Sequence, residues 1–539
     1  MNFKAEIEKW LGEQAVIEVP TNLAHGDYST NLALTSGKKA GDLVAELEQT
    51  KPEFIEKITV AGPGFINFFL KPEFVLGEVK RLVVGPTSSA LGGLRGANNI
   101  KVLFEYTDPN PFKEFHIGHL MSNAIGETLA RLTETTGAEV KRACYQGDVG
   151  LHVAKALWGK QKGEVTWGEA YVAGSKAYEE SETAKQEIVA LNKKVYEKSD
   201  PALNELYEQG KKETLAEFEK IYAKLGTKFD FYFFESEMAI PGVKIVEEFL
   251  VKGLFEKSDG AVVFRGEKFN SQLHTRVYVT AQGLPTYEAK ELGLHFTKAK
   301  VYPFDASVVI TANEQDGVFL VGLEALRQID PELAAKTKHL SHGMLRLPTG
   351  KMSSRTGKVI TAEALIEEAK SKLTEKTTDP EIQEQVAIAA IKYSILRQAP
   401  GRDIIFDFDK SLSFEGDSGP YLQYTRARAH SVLEKFTDAA RVTLPQGSTL
   451  KTQDSRSHLS VELKLIHFPE VVARAAQEFA PQHLVTYLTE LASAFNAFYA
   501  QNQIVGSEEE DYRLTLTRAV EKVLTTGLNL LAIPVLDRM

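Results

Sequence analysis

In the run Phe104-Glu105-Tyr106-Thr107-Asp108-Pro109-Asn110-Pro111-Phe112-Lys113-Glu114-Phe115-His116-Ile117-Gly118-His119, an apolar strand (Ile100 to Tyr106) enters a turn built on two prolines and leaves it as a helix. Strand, turn and helix in succession make the unit of an open parallel sheet, and phosphate-bearing ligands bind where such a strand hands over to its helix. After His119, the apolar positions Leu120, Ala124, Ile125, Leu129 and Leu132 share one helical face until Gly137, and Val140 to Tyr145 reads as the next strand. The centre of the chain is therefore read as α/β and as part of an enzyme that handles ATP.

Working outward, 539 residues are too many for one core. Residues 1–95 read as a small α+β domain, with strands at Lys57–Val60 and Phe65–Leu70, a turn-like His25–Asn31, and a Gly/Pro/Ser-rich linker at 85–93. Residues 96–365 read as a Rossmann-type parallel-sheet domain. Strands at Ala261–Phe264, Val277–Thr280 and Val308–Thr311 and helices near 286–297 and 317–329 resume after a Lys/Glu/Ala-rich helical insertion at about 160–240. Residues 366–410 read as a helical connector and 411–539 as an all-α helical-bundle domain, helices only from about 365 onward. The expected fold class is multidomain α/β.

Composition narrows the setting. The hydrophobic share is 43% and the charged share 25%, ordinary for a water-soluble globular protein. Cys144 is the only cysteine, which excludes an internal disulfide and a cysteine-rich zinc site and suits the cytoplasm. No membrane span and no secretion signal are expected. A net charge of −10 argues against nonspecific nucleic-acid binding but leaves room for local basic patches.

Two segments carry chemistry. Splitting ATP between its α- and β-phosphates requires positioned donors around a charged phosphorus. His116 and His119 stand three apart at the mouth of a helix, Gly118 lets a nucleotide lie against the backbone, and Lys113 is a nearby cation. The second segment, Gly350-Lys351-Met352-Ser353-Ser354-Arg355-Thr356-Gly357-Lys358, combines two glycines with three cations and several hydroxyls, a loop able to close over a triphosphate.

Together these segments resemble the two signatures of the class I aminoacyl-tRNA synthetases. His116-Ile117-Gly118-His119 matches the first without change, and Lys351-Met352-Ser353-Ser354 matches the second except for its last lysine. The flanks, among them Asp108-Pro109-Asn110-Pro111-Phe112-Lys113, Tyr145–Gly150, Phe406–Asp409 and Tyr421–Arg428, resemble the arginyl-tRNA synthetases from near His25 to Met539.

The resemblance implies ATP-dependent activation of L-arginine to arginyl-adenylate, then transfer to the 3′ end of tRNA(Arg), with tRNA needed for the first step. It implies that Lys113 stands in for the missing lysine, and that His116, His119, Lys113 and Lys351 are catalytic. Met344, Met352 and Ser353 would join His116, Gly118, His119 and Lys351 around ATP, with Met344 offering backbone groups to adenine. Mg²⁺ is expected only as the counter-ion of ATP, and no structural zinc. Glu105, Asn110, Tyr287, Glu291 and Gln315 would bind arginine, with Glu291 in place of the family's usual aspartate. Independently, a planar, five-donor cation demands carboxylates and carbonyls, and Tyr287 and Glu291 share a helical face. Asn67, Arg426, Arg428, Tyr499 and Met539 are implied contacts to tRNA, with Tyr424 a further stacking candidate. A monomer is expected. Three other readings, a cysteinyl-type synthetase, an inactive tRNA-binding relative and a nucleotidylyltransferase, are disfavoured by the lone cysteine, the intact His116, His119 and Lys351, and the long helical tail, respectively.

Overall fold

The computed structural model describes residues 2–12, 14–20, 25–84, 100–348, 360–436 and 460–539. Two compact units emerge, one of residues 97–412 with 531–533, the other of residues 1–96, 413–530 and 534–539.

The first unit is built on five parallel strands in the spatial order Thr337–His342, Ala306–Ala312, Lys101–Glu105, Glu139–Gln146 and Phe231–Phe234. The strand Lys101–Glu105 is central. Val102, Leu103 and Phe104 are all buried, the continuous apolar run expected where helices cover both faces of a sheet. The chain steps outward from it to Glu139–Gln146 and Phe231–Phe234, then returns to its other side with Ala306–Ala312. That reversal opens a crevice at the carboxyl ends of Lys101–Glu105 and Ala306–Ala312, where ligands of open α/β sheets bind.

The helical insertion consists of Trp167–Glu180, Glu182–Glu197 and Pro201–Lys224. Each begins on a side-chain cap: Thr166 in a reciprocal box with Glu169, Ser181, and Asp200 ahead of Pro201. The insertion is shorter than the 160–240 expected from sequence. Phe231–Phe234 is instead the edge strand of the central sheet, and Glu235–Val251 is a helix packed beside Tyr287–Val301. The aromatic run after Gly226 carried the strand signal. Residues 366–410 are largely helical. Helix Pro380–Leu396 buries Val386 to Tyr393 within the first unit, and a short strand, Ile404–Ile405, pairs with Leu345–Arg346.

The second unit contains a four-stranded antiparallel sheet and helices from both ends of the chain. Tyr28–Thr30, read as a turn, is a strand paired with Phe65–Leu70. The Tyr28 hydroxyl donates to Glu470 at 2.6 Å and its ring meets His467 edge-on, joining the sheet to helix Ser460–Gln477. Among the described residues no helix is long and apolar enough to cross a membrane.

Candidate active site

The turn leaving the central strand is held in an unfavourable backbone shape. Thr107, Asp108 and Phe112 all have positive φ, at 82°, 46° and 67°. Non-glycine residues there cost of order 1–3 kcal/mol each and persist only when the surroundings over-determine them. The surroundings do so here. Thr107 N donates to Ser122 Oγ at 2.9 Å, Asn123 Nδ2 donates to Thr107 Oγ1 at 3.1 Å, and Tyr145 N donates to Asp108 Oδ1 at 2.7 Å. Phe112 is wholly buried against Trp167 and Tyr207 of the insertion. The insertion thereby fixes the segment that carries Asn110 and Lys113.

The turn delivers His116 as the N-cap of helix Ile117–Thr135. Gly118 N donates to His116 Nδ1 at 3.1 Å, and His116 N donates to His119 Nδ1 at 3.2 Å. The rings stack with centroids 3.5 Å apart. Burial, then the Lys113 charge, lowers His116 to about 4. Burial, then His116 and Lys113, holds His119 well below its ordinary value. Both imidazoles are thus neutral near pH 7, and because each Nδ1 accepts a backbone N–H, each ring keeps its proton on Nε2. The result is a pair of N–H donors at a helix N-terminus. A Cβ on Gly118 would stand 2.9 Å from the His116 ring, so glycine is required for the ring to fold back, beyond any contact with nucleotide. Lys113 Nζ lies 4.7 Å from the centre of the Tyr171 ring.

Lys351, Met352 and Ser353 lie outside the described residues. The segment just after them pairs with the histidine signature: Ile117 N donates to Ile360 O at 3.2 Å and Ala362 N to Phe115 O at 2.9 Å. The expected role of Met344 needs revision. Its N–H already donates to Asp403 Oδ1 at 2.9 Å and its carbonyl accepts from Ile404 N at 2.8 Å, as the short Leu345–Arg346 pairing demands.

An acidic cluster flanks the signature helix. Glu105 ends the central strand and is 1% exposed. Its Oε2 lies 2.6 Å from Lys298 Nζ, itself fully buried, so the carboxylate is already neutralised in part rather than waiting unpaired. Glu291 and Tyr287 sit on helix Tyr287–Val301 with Lys298, and the Glu105 charge acts on Glu291, Tyr287 and Asp108 alike. Burial first, and Glu105 second, push Glu291 up to about 8. Neither Glu291 oxygen meets a hydrogen-bond partner among the described residues; the Tyr287 hydroxyl approaches without closing a bond, and His295 Nε2 stands 3.6 Å away. Glu235, ion-paired to Lys290, completes the cluster. Asn110 fills the space where a Gly147 side chain would be, its Oδ1 2.1 Å from a Cβ built there and Glu235 3.1 Å from the same point. Gln315 ends the turn Asn313–Gln315 at the crevice end of Ala306–Ala312, the strand beside Glu105.

Asp108, Glu235, Lys290, His295 and Lys298 were missed from sequence. Lys290 and Lys298 bracket Glu291 and His295 on a helix with few exposed faces, a pattern of charge on buried positions that periodicity does not reveal. Asp148 proves to be a strut: fully buried, it accepts from Tyr207, Lys211 and Ser236, tying the insertion to the sheet.

The candidate tRNA contacts divide. Asn67 is 4% exposed, on a strand internal to the small sheet, and its buried side chain presents little surface to a partner. Arg426 is also buried, and its guanidinium is spent on Thr525, the Leu536 carbonyl, Asp537 and Glu521. It anchors the chain terminus and is not a phosphate contact. Arg428 differs: its guanidinium lies 4.6 Å from the centre of the Tyr424 ring and 5.2 Å from that of Tyr499, both rings partly exposed, and it donates to Asn496 at 2.6 Å. Met539 is exposed at the end of the chain.

Family comparison agrees with this geometry. Residues 87–408 match the class I (R) tRNA synthetase catalytic domain, 422–539 the DALR anticodon-binding domain, and 2–70 the arginyl-tRNA synthetase N-terminal domain. An arginine–tRNA ligase of Treponema denticola is 31% identical across 99% of this chain and 96% of its own length; one of Fusobacterium nucleatum is 30% identical across 97% and 95%. The arginyl-tRNA synthetase structure of Thermus thermophilus superposes with a TM-score of 0.74 at 26% identity, covering 99% of this chain and 98% of that one. The strained strand-to-helix turn, the paired neutral histidines and the buried acids thus belong to a member of the arginyl-tRNA synthetases, the class I arginine–tRNA ligases.

Proposed function

We propose that the acidic cluster of Glu105, Asn110, Tyr287, Glu291 and Gln315 receives the arginine side chain while His116, His119 and Lys113 hold the phosphates of ATP beside it. The arginine carboxylate then attacks the α-phosphorus, pyrophosphate leaves, and a terminal ribose hydroxyl of tRNA(Arg) takes the arginyl group from the adenylate. The two Nε2–H groups and the helix N-terminus stabilise charge building on the phosphate oxygens without carrying charge of their own. Lys113 supplies the cation that Ser354 does not, and Lys351, Met352 and Ser353 of the second signature share the work on the phosphates. Mg²⁺ enters this reading as the counter-ion that ATP brings. Arg428 between Tyr424 and Tyr499 offers a surface on which an unstacked base can lie.

One observation supports the substrate above others: a carboxylate, Glu291, buried without a hydrogen-bond partner beside a second acid. Such an arrangement is costly unless a cation with several donors enters. The test is ATP–pyrophosphate exchange with each of the twenty amino acids in the presence of total tRNA. Arginine alone should support exchange; exchange with a different amino acid in its place would overturn the reading.

A further inference from the structure

Counting charge inside the pocket leads past the identity of the substrate. The cluster encloses four carboxylates, Glu105, Asp108, Glu235 and Glu291, against two ammonium groups, Lys298 on Glu105 and Lys290 on Glu235. Glu291 is the carboxylate left over on the helix that lines the pocket, with both oxygens shut off from solvent and unpartnered. The groups facing it supply no spare positive charge. From its own helix come Tyr287, His295, Lys298 and a fifth carboxylate, Glu288, which is ion-paired at 3.6 Å to Arg276 of the strand Thr275–Val279; from the central strand, Glu105; from the strained turn, Asp108. The strand Glu139–Gln146 adds Tyr145, the helix Glu235–Val251 adds Glu235, and the strand Thr275–Val279 adds Tyr278, whose hydroxyl is likewise buried and unpartnered. The wall from helix Asp316–Ile329 is Val318, Phe319, Gly322 and Leu323, without charge. His295 is held neutral by burial, then by Lys298.

We infer that Glu291 is protonated in the empty pocket and that arginine binds by proton exchange: the guanidinium enters, Glu291 ionises against it, and one proton leaves to solvent. This rests on the reading of the cluster as the arginine site. The atoms balance as carboxylic acid plus guanidinium going to a carboxylate–guanidinium pair plus a free proton. The exchange makes Glu291 a specificity-determining residue. A permanently charged fork repays the ionisation, whereas citrulline, the same shape with a neutral end, cannot draw the proton off and meets a neutral acid. Linkage sets the pH behaviour. With the empty-site value raised to about 8, arginine affinity rises about tenfold per pH unit below that value and levels above it.

Titration calorimetry of L-arginine into the full-length protein at pH 7, in two buffers of different ionisation enthalpy, tests this. The wild-type protein should release close to one proton per arginine bound. Glu291→Gln, which keeps the shape but cannot ionise, should bind more weakly, with no buffer dependence and no slope against pH. Asp108→Asn should still release the proton. Arginine binding with equal heats in both buffers, or continued proton release in Glu291→Gln, would overturn the inference and leave the arginine site standing. No arginine binding at any pH between 6 and 9, with or without tRNA, would overturn the site itself and the inference with it.

Discussion

Lys298 Nζ lies 2.6 Å from Glu105 Oε2, and both side chains are closed to solvent. The pair couples the end of the central strand to the last turn of the helix that bears Tyr287 and Glu291. Lys298→Met should leave Glu105 buried and uncompensated, costing about 3–5 kcal/mol of stability. Adding Glu105→Gln should recover much of that loss, because both members of the pair are then neutral. Chemical denaturation of the two variants decides it. A Lys298→Met protein as stable as wild type would mean that the pair does not hold the pocket together.

The neutral histidines make an acid-side prediction. His116 sits at about 4 in the folded chain, below the value of about 6.5 it has when unfolded. The unfolded state therefore binds more protons between those limits, so the stability contributed by the neutral ring is present above about 6.5 and is lost as pH falls through 4. His116→Gln should flatten the fall of the denaturation midpoint across that window. Activity near neutrality should show no titration arising from either signature ring. Because both rings donate through Nε2, glutamine, whose amide reaches that position, should retain more activity than asparagine at either site; removal of one donor by alanine should cost about 10²–10³ in kcat.

Gly210 on the insertion faces the strained turn. A Cβ there would stand 2.5 Å from both the Phe112 and Trp167 rings. Gly210→Ala should displace Phe112 and with it Asn110 and Lys113, destabilising by about 1–3 kcal/mol and slowing adenylate formation in a single-turnover assay. Unchanged activation by a stable Gly210→Ala protein would remove the insertion from any part in positioning the site.

Arg426 and Arg428 stand two apart on one helix and should respond oppositely to alanine. Arg426→Ala strips partners from Glu521, Asp537 and Thr525 and should lower thermal stability. Arg428→Ala should leave stability nearly intact and weaken tRNA binding by about 1–3 kcal/mol, through loss of the stacked guanidinium. Equal effects of both on tRNA affinity, measured at constant salt, would count against the division.

Lys113→Ala should slow adenylate formation more than it weakens arginine, since its charge bears on both histidines and reaches the acidic cluster at Glu235. Comparison of arginine affinity with single-turnover rate separates the two.

The sequence alone determined the α/β core, the strand-to-helix turn and the residues of the histidine signature, because those signals are local: an apolar run, two prolines, a glycine-spaced pair of histidines and helical periodicity. It also determined the family, since signatures and flanks stand at fixed spacing along one chain. Tertiary structure alone decided what the charged residues do. Lys298 and Glu105 are far apart in sequence and meet only because the pocket helix crosses the end of the central strand. Arg426 and Arg428 look alike in a helix, yet one is buried on the chain terminus and the other lies between exposed tyrosines. Asn67 stands among the implied tRNA contacts, yet the fold buries it. Periodicity reports which face of an element is apolar; the partner of a charge, and so its state of ionisation, is set by which distant elements fold against it.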